Sequence, residues 1–207
     1  MEFINEIIKL NREIISCKQV NYKDLTALPS GEAEKLFLQP HLTGMDPLIA
    51  DFYSQLKSYN LEWETKSRLG EKIYGRVRFI EPAKVLSDWK GIVYFEEDSP
   101  LKNFKIFDQF ANEGCCGFYT TASKTSASSL IYFYDFNSDP VSLQLNIEEY
   151  CSMMIEAKGF LYWQRVLIDH RNRIESPHTR LMKEEYDKVF PEFNFQSFIE
   201  KYNALIK

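Results

Sequence analysis

Three histidines and four cysteines are the residues of this chain best suited to nucleophilic, acid–base or metal chemistry. His41 follows Pro40 and His178 follows Pro177, both in loop-like sequence. His170 falls at the end of an apolar-periodic stretch, where a cation favours the helix dipole. Cys17, Cys115, Cys116 and Cys151 lack C-x-x-C spacing and have no neighbouring His suited to zinc. The vicinal pair Cys115–Cys116 has two readings, a redox or metal pair or two small buried hydrophobes, and packing is the favoured one. Glu148 and Glu149 resemble paired carboxylates, but helix neighbours point apart, and Glu149 stands three residues after Asn146, where a capping box places it. No G-x-S-x-G, G-x-x-x-x-G-K-[ST] or H-E-x-x-H motif occurs. The expectation is a protein without catalytic residues, cofactor or metal.

The acidic residues carry a different chemistry. Glu96, Glu97 and Asp98 follow directly on the run Gly91–Phe95, and Asp108, Glu113, Asp135 and Asp139 fall at or near the ends of strand-like segments. Residues 79–156 hold five Lys/Arg against twelve Asp/Glu, a local charge of −7, whereas residues 158–207 hold nine against seven, or +2. In an antiparallel sheet several of these carboxylates would collect on its rim or mouth. They then form either a solvated surface or a negative patch that meets a basic protein. Trp89, in SDWKG, is read as a packing residue or as an exposed anchor, since Trp is enriched in binding hot spots. Trp63 and Trp163 are read as core. The acidic middle argues against nucleic acid, which calls for a basic face.

The elements that must position these groups are legible in part. With 207 residues, 44% of them hydrophobic and 15% aromatic, the chain is long enough for a sizeable core. No run approaches the roughly 20 apolar residues of a membrane span. The first residues, MEFINEIIKLNRE, read as an amphipathic helix with Ile4, Ile7, Ile8, Ile14 and Ile15 inward. Charges interrupt that segment too often for a signal peptide, so a cytoplasmic location is expected. Tyr22–Pro29 reads as a loop and Glu32–Gln39 as a short helix. Asp46 and Pro47 then write the start of a helix running to Tyr59, with a turn at Ser58–Asn60.

Strands are expected at Leu61–Lys66, Ile73–Ile80, Gly91–Phe95, Phe104–Asp108, Gly117–Thr121, Leu130–Asp135 and Val141–Leu145, with a hairpin tip at Ser123–Ser129. Helices are expected from Asn146 to Gly159, over Phe160–His170 and Thr179–Val189, and after Pro191. Short strand-to-strand connections exclude helical crossovers. The predicted fold is therefore α+β: a mostly antiparallel twisted sheet of about five to six strands flanked by N- and C-terminal helices. Without repeat or linker, residues 1–207 read as one domain, with 171–207 a helical extension packed on it.

Several landmarks occur in a familiar order: GEAEKLFLQP (Gly31–Pro40), FY-x-x-L-x-x-Y-N (Phe52–Asn60), LEWE (Leu61–Glu64), IYGRVRFI (Ile73–Ile80), FKIFD (Phe104–Asp108), IYFYD (Ile131–Asp135), EEY (Glu148–Tyr150) and GFLYWQ (Gly159–Gln164). In that order the chain resembles the SUKH superfamily, which groups fungal regulators of cell-wall synthesis with bacterial toxin-immunity proteins. It departs from the family's usual Asn-Gly at Asn60–Leu61, and its tail extends beyond the common pattern. The resemblance implies a binding scaffold without chemistry of its own: a cytoplasmic immunity protein that neutralises a basic, nuclease-type toxin. The alternative it implies is an intracellular scaffold or regulator. Neither reading fixes an oligomeric state.

Overall fold

The computed structural model of the chain describes residues 2–38, 45–66, 71–120 and 130–206. His41 and the Ser123–Ser129 tip lie outside the described residues. The fold is α+β, with a seven-stranded sheet whose strands follow one another in chain order. Its strands are β1 (Val20–Pro29), β2 (Leu56–Thr65), β3 (Tyr74–Phe79), β4 (Phe104–Asp108), β5 (Cys115–Tyr119), β6 (Tyr132–Tyr134) and β7 (Val141–Ser142). Pairing from β3 through β7 is antiparallel throughout.

Where local rules suffice, the elements form as the sequence predicts. The α2 helix spans Glu32–Leu38, and the α3 helix (Pro47–Gln55) starts at Asp46, whose carboxylate accepts from Leu48 N at 2.8 Å. Along β3, buried Gly75, Val77 and Phe79 alternate with exposed Tyr74, Arg76 and Arg78. The α1 helix (Glu2–Ser16) buries Ile7, Leu10 and Ile14, but Ile8 and Ile15 face solvent, because a 3.6-residue period cannot bring both to the same stripe.

Three expectations are corrected. Residues 20–29 form a strand, not a loop; only Val20 is buried there, so the apolar alternation that announces a strand is missing. The helix after Pro47 stops at Gln55, and Ser58–Asn60 belong to β2. Tyr59 satisfies both periods, being i+7 from Phe52 in helical terms and the first of the alternating buried set Tyr59, Leu61, Trp63 and Thr65. Gly91–Phe95 is a compact turn, with Ile92 N and Val93 N both donating to the Trp89 carbonyl at 3.1 and 2.9 Å. Its β-branched and aromatic residues signal a strand, but the hydrogen bonds close locally.

The described chain divides into two compact units, one of residues 1–26, 60–77 and 149–207, the other of residues 27–59 and 78–148. In the first, α5 (Ile147–Glu156) and α6 (Trp163–Asn172) are joined through Gly159, whose φ of +67° suits a residue without Cβ. The helices α7 (Pro177–Glu184), α8 (Tyr186–Val189) and α9 (Phe195–Leu205) complete it. This tail is integral to its unit. Tyr186 is fully buried, donates to the Ala157 carbonyl at 2.7 Å and stacks on Trp63. Lys158 is clasped by Glu13 at 2.6 Å and Glu192 at 3.1 Å. Burial alone would lower its pKa, but the two carboxylates outweigh that and raise it. Charges on the exposed strand faces of this unit are spent on one another: Glu64 meets Lys23 and Lys72 at 2.9 Å each, and Arg76 meets Glu62 at 3.0 Å. In the second unit, Phe52, Phe79 and Phe107 form an aromatic core with centroids 5.4–6.4 Å apart.

Candidate functional site

In the second unit, β3 is followed by the one-turn helix α4 (Pro82–Val85) and then by a long loop that enters β4 at Phe104. This loop carries the acidic run, and it is built as a rigid piece. Trp89 is its root: 3% exposed, with the indole Nε1 donating to the Val85 carbonyl at 3.0 Å. The exposed-anchor reading of Trp89 is thereby overturned, since the indole fills the space under the loop. Gly91 N donates to the Tyr94 carbonyl at 2.7 Å, and the Tyr94 hydroxyl donates to the Asp88 carboxylate. That bond pushes the Tyr94 phenol up to about 12 and holds Asp88 below its usual range. Glu97 binds Lys90 and, at 2.7 Å, Lys102, which together hold its carboxyl down at about 2. Ser99 caps the 3₁₀ turn Pro100–Asn103 that delivers the chain to β4.

What this frame presents outward is apolar. Phe95 is 69% exposed and Ile92 is 55% exposed, while Val93 and Tyr94 between them are buried. Glu96 and Asp98, which follow Phe95 in the chain, are exposed, with no side-chain hydrogen bond or ion pair among the described residues. An exposed aromatic and a branched aliphatic side chain near two uncommitted carboxylates have the composition of an apolar anchor with a polar rim. The sequence gives Ile92 and Phe95 no separate mark, because a run of Ile, Val, Tyr and Phe reads as a buried strand. The signal available was the abrupt contact of Phe95 with three consecutive acids.

The remaining acidic residues are not gathered with this loop. In an antiparallel meander successive connections alternate between ends. The loop of Glu96–Asp98 feeds β4 at its Phe104 end, whereas Glu113 lies on the β4–β5 connection, which leaves from the Asp108 end. Asp135 and Asp139 lie on the β6–β7 connection, at that same second end by the pairing of Cys115 with Tyr134. The surface acids therefore form two groups at opposite strand ends. Asp108 joins neither surface. It is fully buried at a register shift, and its carboxylate accepts from Arg78 N at 2.8 Å. Asp135 binds the Asn137 and Ser138 backbone N–H groups at 3.1 Å each, shaping its own turn. Glu113 and Asp139 are exposed.

The candidate nucleophiles and bases do not converge. Cys115 and Cys116 are fully buried neighbours on β5, so their side chains leave opposite faces of the sheet. Burial, followed by the charges of Asp108 and Asp135, raises the Cys115 thiol far above its usual value, a state unsuited to thiolate chemistry. His170 pairs with Asn203, and His178 lies on α7 against the Tyr162 ring, where burial lowers its pKa. Among the described residues no group of three or more His, Cys, Asp or Glu is placed to hold a metal ion, and no helix is long and apolar enough to cross a membrane. No family model, no curated protein and no solved structure matches the chain.

Proposed function

We propose that this chain is a non-enzymatic binding module that docks a basic protein through Phe95 and Ile92, with Glu96 and Asp98 setting orientation. The observation that carries the reading is the exposure of two large apolar side chains on a loop whose every turn is internally bonded. An exposed ion pair contributes about 0–1 kcal/mol, while burying a large apolar side chain contributes about 1.5–3 kcal/mol. Anchoring therefore belongs to Phe95 and Ile92, and charge governs encounter and partner choice. Lys90, Lys102 and Lys105 offset much of the loop's acidity, which further shifts the weight to the apolar pair.

Together with the SUKH-like order of landmarks, this supports an immunity protein acting in the cytoplasm on a nuclease-type toxin, whose active cleft is basic. The scaffold or regulator reading predicts several weak partners in place of one tight one. The test is affinity capture from the native cell with the wild-type chain, the Ile92→Ala/Phe95→Ala double variant and the Glu96→Lys/Asp98→Lys double variant. A single basic protein held in stoichiometric amount by the wild type, lost with the apolar variant and slowed in association by the charge variant, is expected. Equal retention by all three removes this loop from the interface.

A further inference from the structure

The first unit holds a cleft of about 550 Å³ at the end of α6, walled by α7 and α9. Its volume falls within the range of about 300–1,000 Å³ typical of small-molecule sites. Two carboxylates contribute to it, and both are engaged. Asp169, buried at the base, accepts from Thr179 Oγ1 at 2.7 Å and Ser176 N at 3.2 Å, and meets Arg165 Nε at 3.3 Å. It thereby occupies the start of α7. Glu175 is paired with Lys183 at 3.0 Å. Asn203 uses its Oδ1 on His170 Nε2 at 3.0 Å, which leaves the amide N–H groups as donors.

Arg173, past the end of α6, has its φ at +56°, and its exposed guanidinium has no side-chain partner among the described residues. The α6 dipole favours basic residues such as Arg171 in its last turn, and Lys183 is held by Glu175, but neither arrangement gives a role to the side chain of Arg173. Phe195 and the exposed Ile174 supply apolar lining. The cleft thus offers the Arg173 guanidinium and the Asn203 amide beside apolar side chains, with the Lys183 ammonium shared with Glu175.

We infer that this cleft binds a small organic oxyanion, a carboxylate or phosphate carried on an apolar body, with Arg173 as its principal ligand and Lys183, shared with Glu175, as a second cation. A planar guanidinium matches either oxyanion in bidentate fashion, so the probes separate them. Phenyl phosphate, phenylacetate, inorganic phosphate and benzyl alcohol are titrated calorimetrically at constant ionic strength into the wild-type chain, Arg173→Ala, Arg173→Lys and Lys183→Gln. Binding of phenyl phosphate or phenylacetate is expected, the tighter one naming the oxyanion, with inorganic phosphate and benzyl alcohol each weaker. Arg173→Ala should weaken it by roughly ten- to a hundredfold, as loss of a charge-assisted hydrogen bond implies, and Arg173→Lys should recover part of that. Both positions are at the surface, so unchanged circular dichroism is expected, and Lys183→Gln carries the test if Arg173→Ala does not fold. The inference is overturned if neither aromatic anion binds, if the variants bind it as the wild type does, or if benzyl alcohol binds as well as the anions.

Discussion

Replacing Gly75 by alanine tests how β3 and the C-terminal tail share one core. A Cβ built on Gly75 would lie 2.1 Å from Cε2 and Nε1 of Trp63. That is about 1.4 Å short of the ~3.5 Å at which carbon atoms rest in contact. The indole has nowhere to retreat. It is fully buried, donates to the Lys158 carbonyl at 2.9 Å, and lies 6.2 Å from the Tyr186 ring centroid and 5.3 Å from that of Phe190. Overpacking of this kind costs about 1–3 kcal/mol. Loss of the Trp63 hydrogen bond adds about 1 kcal/mol, and disturbed ring geometry about 0.5–1.5 kcal/mol. The stiffer unfolded chain of an alanine variant returns about 0.4–1 kcal/mol. The net expectation is a loss of about 1.5–5 kcal/mol, a large part of the ~5–15 kcal/mol available to a folded domain. Urea unfolding followed by far-ultraviolet circular dichroism measures it. In a Trp63→Leu background the obstructing ring is gone, so Gly75→Ala should cost less there by roughly 1–3 kcal/mol, as coupled neighbours do. A Gly75→Ala variant within about 0.5 kcal/mol of wild type, or strictly additive costs, refutes the reasoning.

Three other outcomes follow from individual contacts. Glu97, held down at about 2 by Lys102 and Lys90, contributes to loop order at pH values above its ordinary 4.5 and loses that contribution as pH falls toward 2. Carbon-13 titration of its carboxyl should show a midpoint near 2, moving up when both lysines become alanine; a wild-type midpoint above 4 contradicts the ion-pair geometry. Lys158→Ala leaves Glu13 and Glu192 without their cation and removes the ammonium over the Phe190 ring, so a loss of about 1–3 kcal/mol is expected in urea. Because the pKa of Lys158 is raised on folding, its contribution in the wild type is full below 10.5 and disappears as pH rises through the folded value, whereas an alanine variant lacks that alkaline decline. Maleimide labelling of the native protein should reach the half-buried Cys17 first, with Cys115 and Cys116 reacting only after denaturation; rapid native labelling at Cys115 reopens the redox reading.

Much of the fold was legible because it obeys short-range rules. The start of α3 at Asp46–Pro47, the alternation along β3 and the apolar stripe of α5 each depend on residues within a few positions of one another. So did the antiparallel class, which short connections impose. The loop between α4 and β4 was only half visible. Its carboxylates were marked by charge, but its apolar tip was hidden in a strand-like composition whose hydrogen bonds happen to close on Trp89 and Tyr94. The cleft was not visible at all, since His170 and Arg173 at the end of α6, Lys183 on α7 and Asn203 on α9 have no motif joining them.

Composition, periodicity and caps were enough to dictate an α+β chain with a large aromatic core and an acidic middle. Long-range packing decided the rest. It made Tyr59 a strand residue, put Asp108 and Trp89 inside, bound the tail to Trp63 through Tyr186, and divided the acids between two ends of the sheet. The physical reason is that exposure belongs to a residue's neighbours in space, and a sequence lists only its neighbours along the chain.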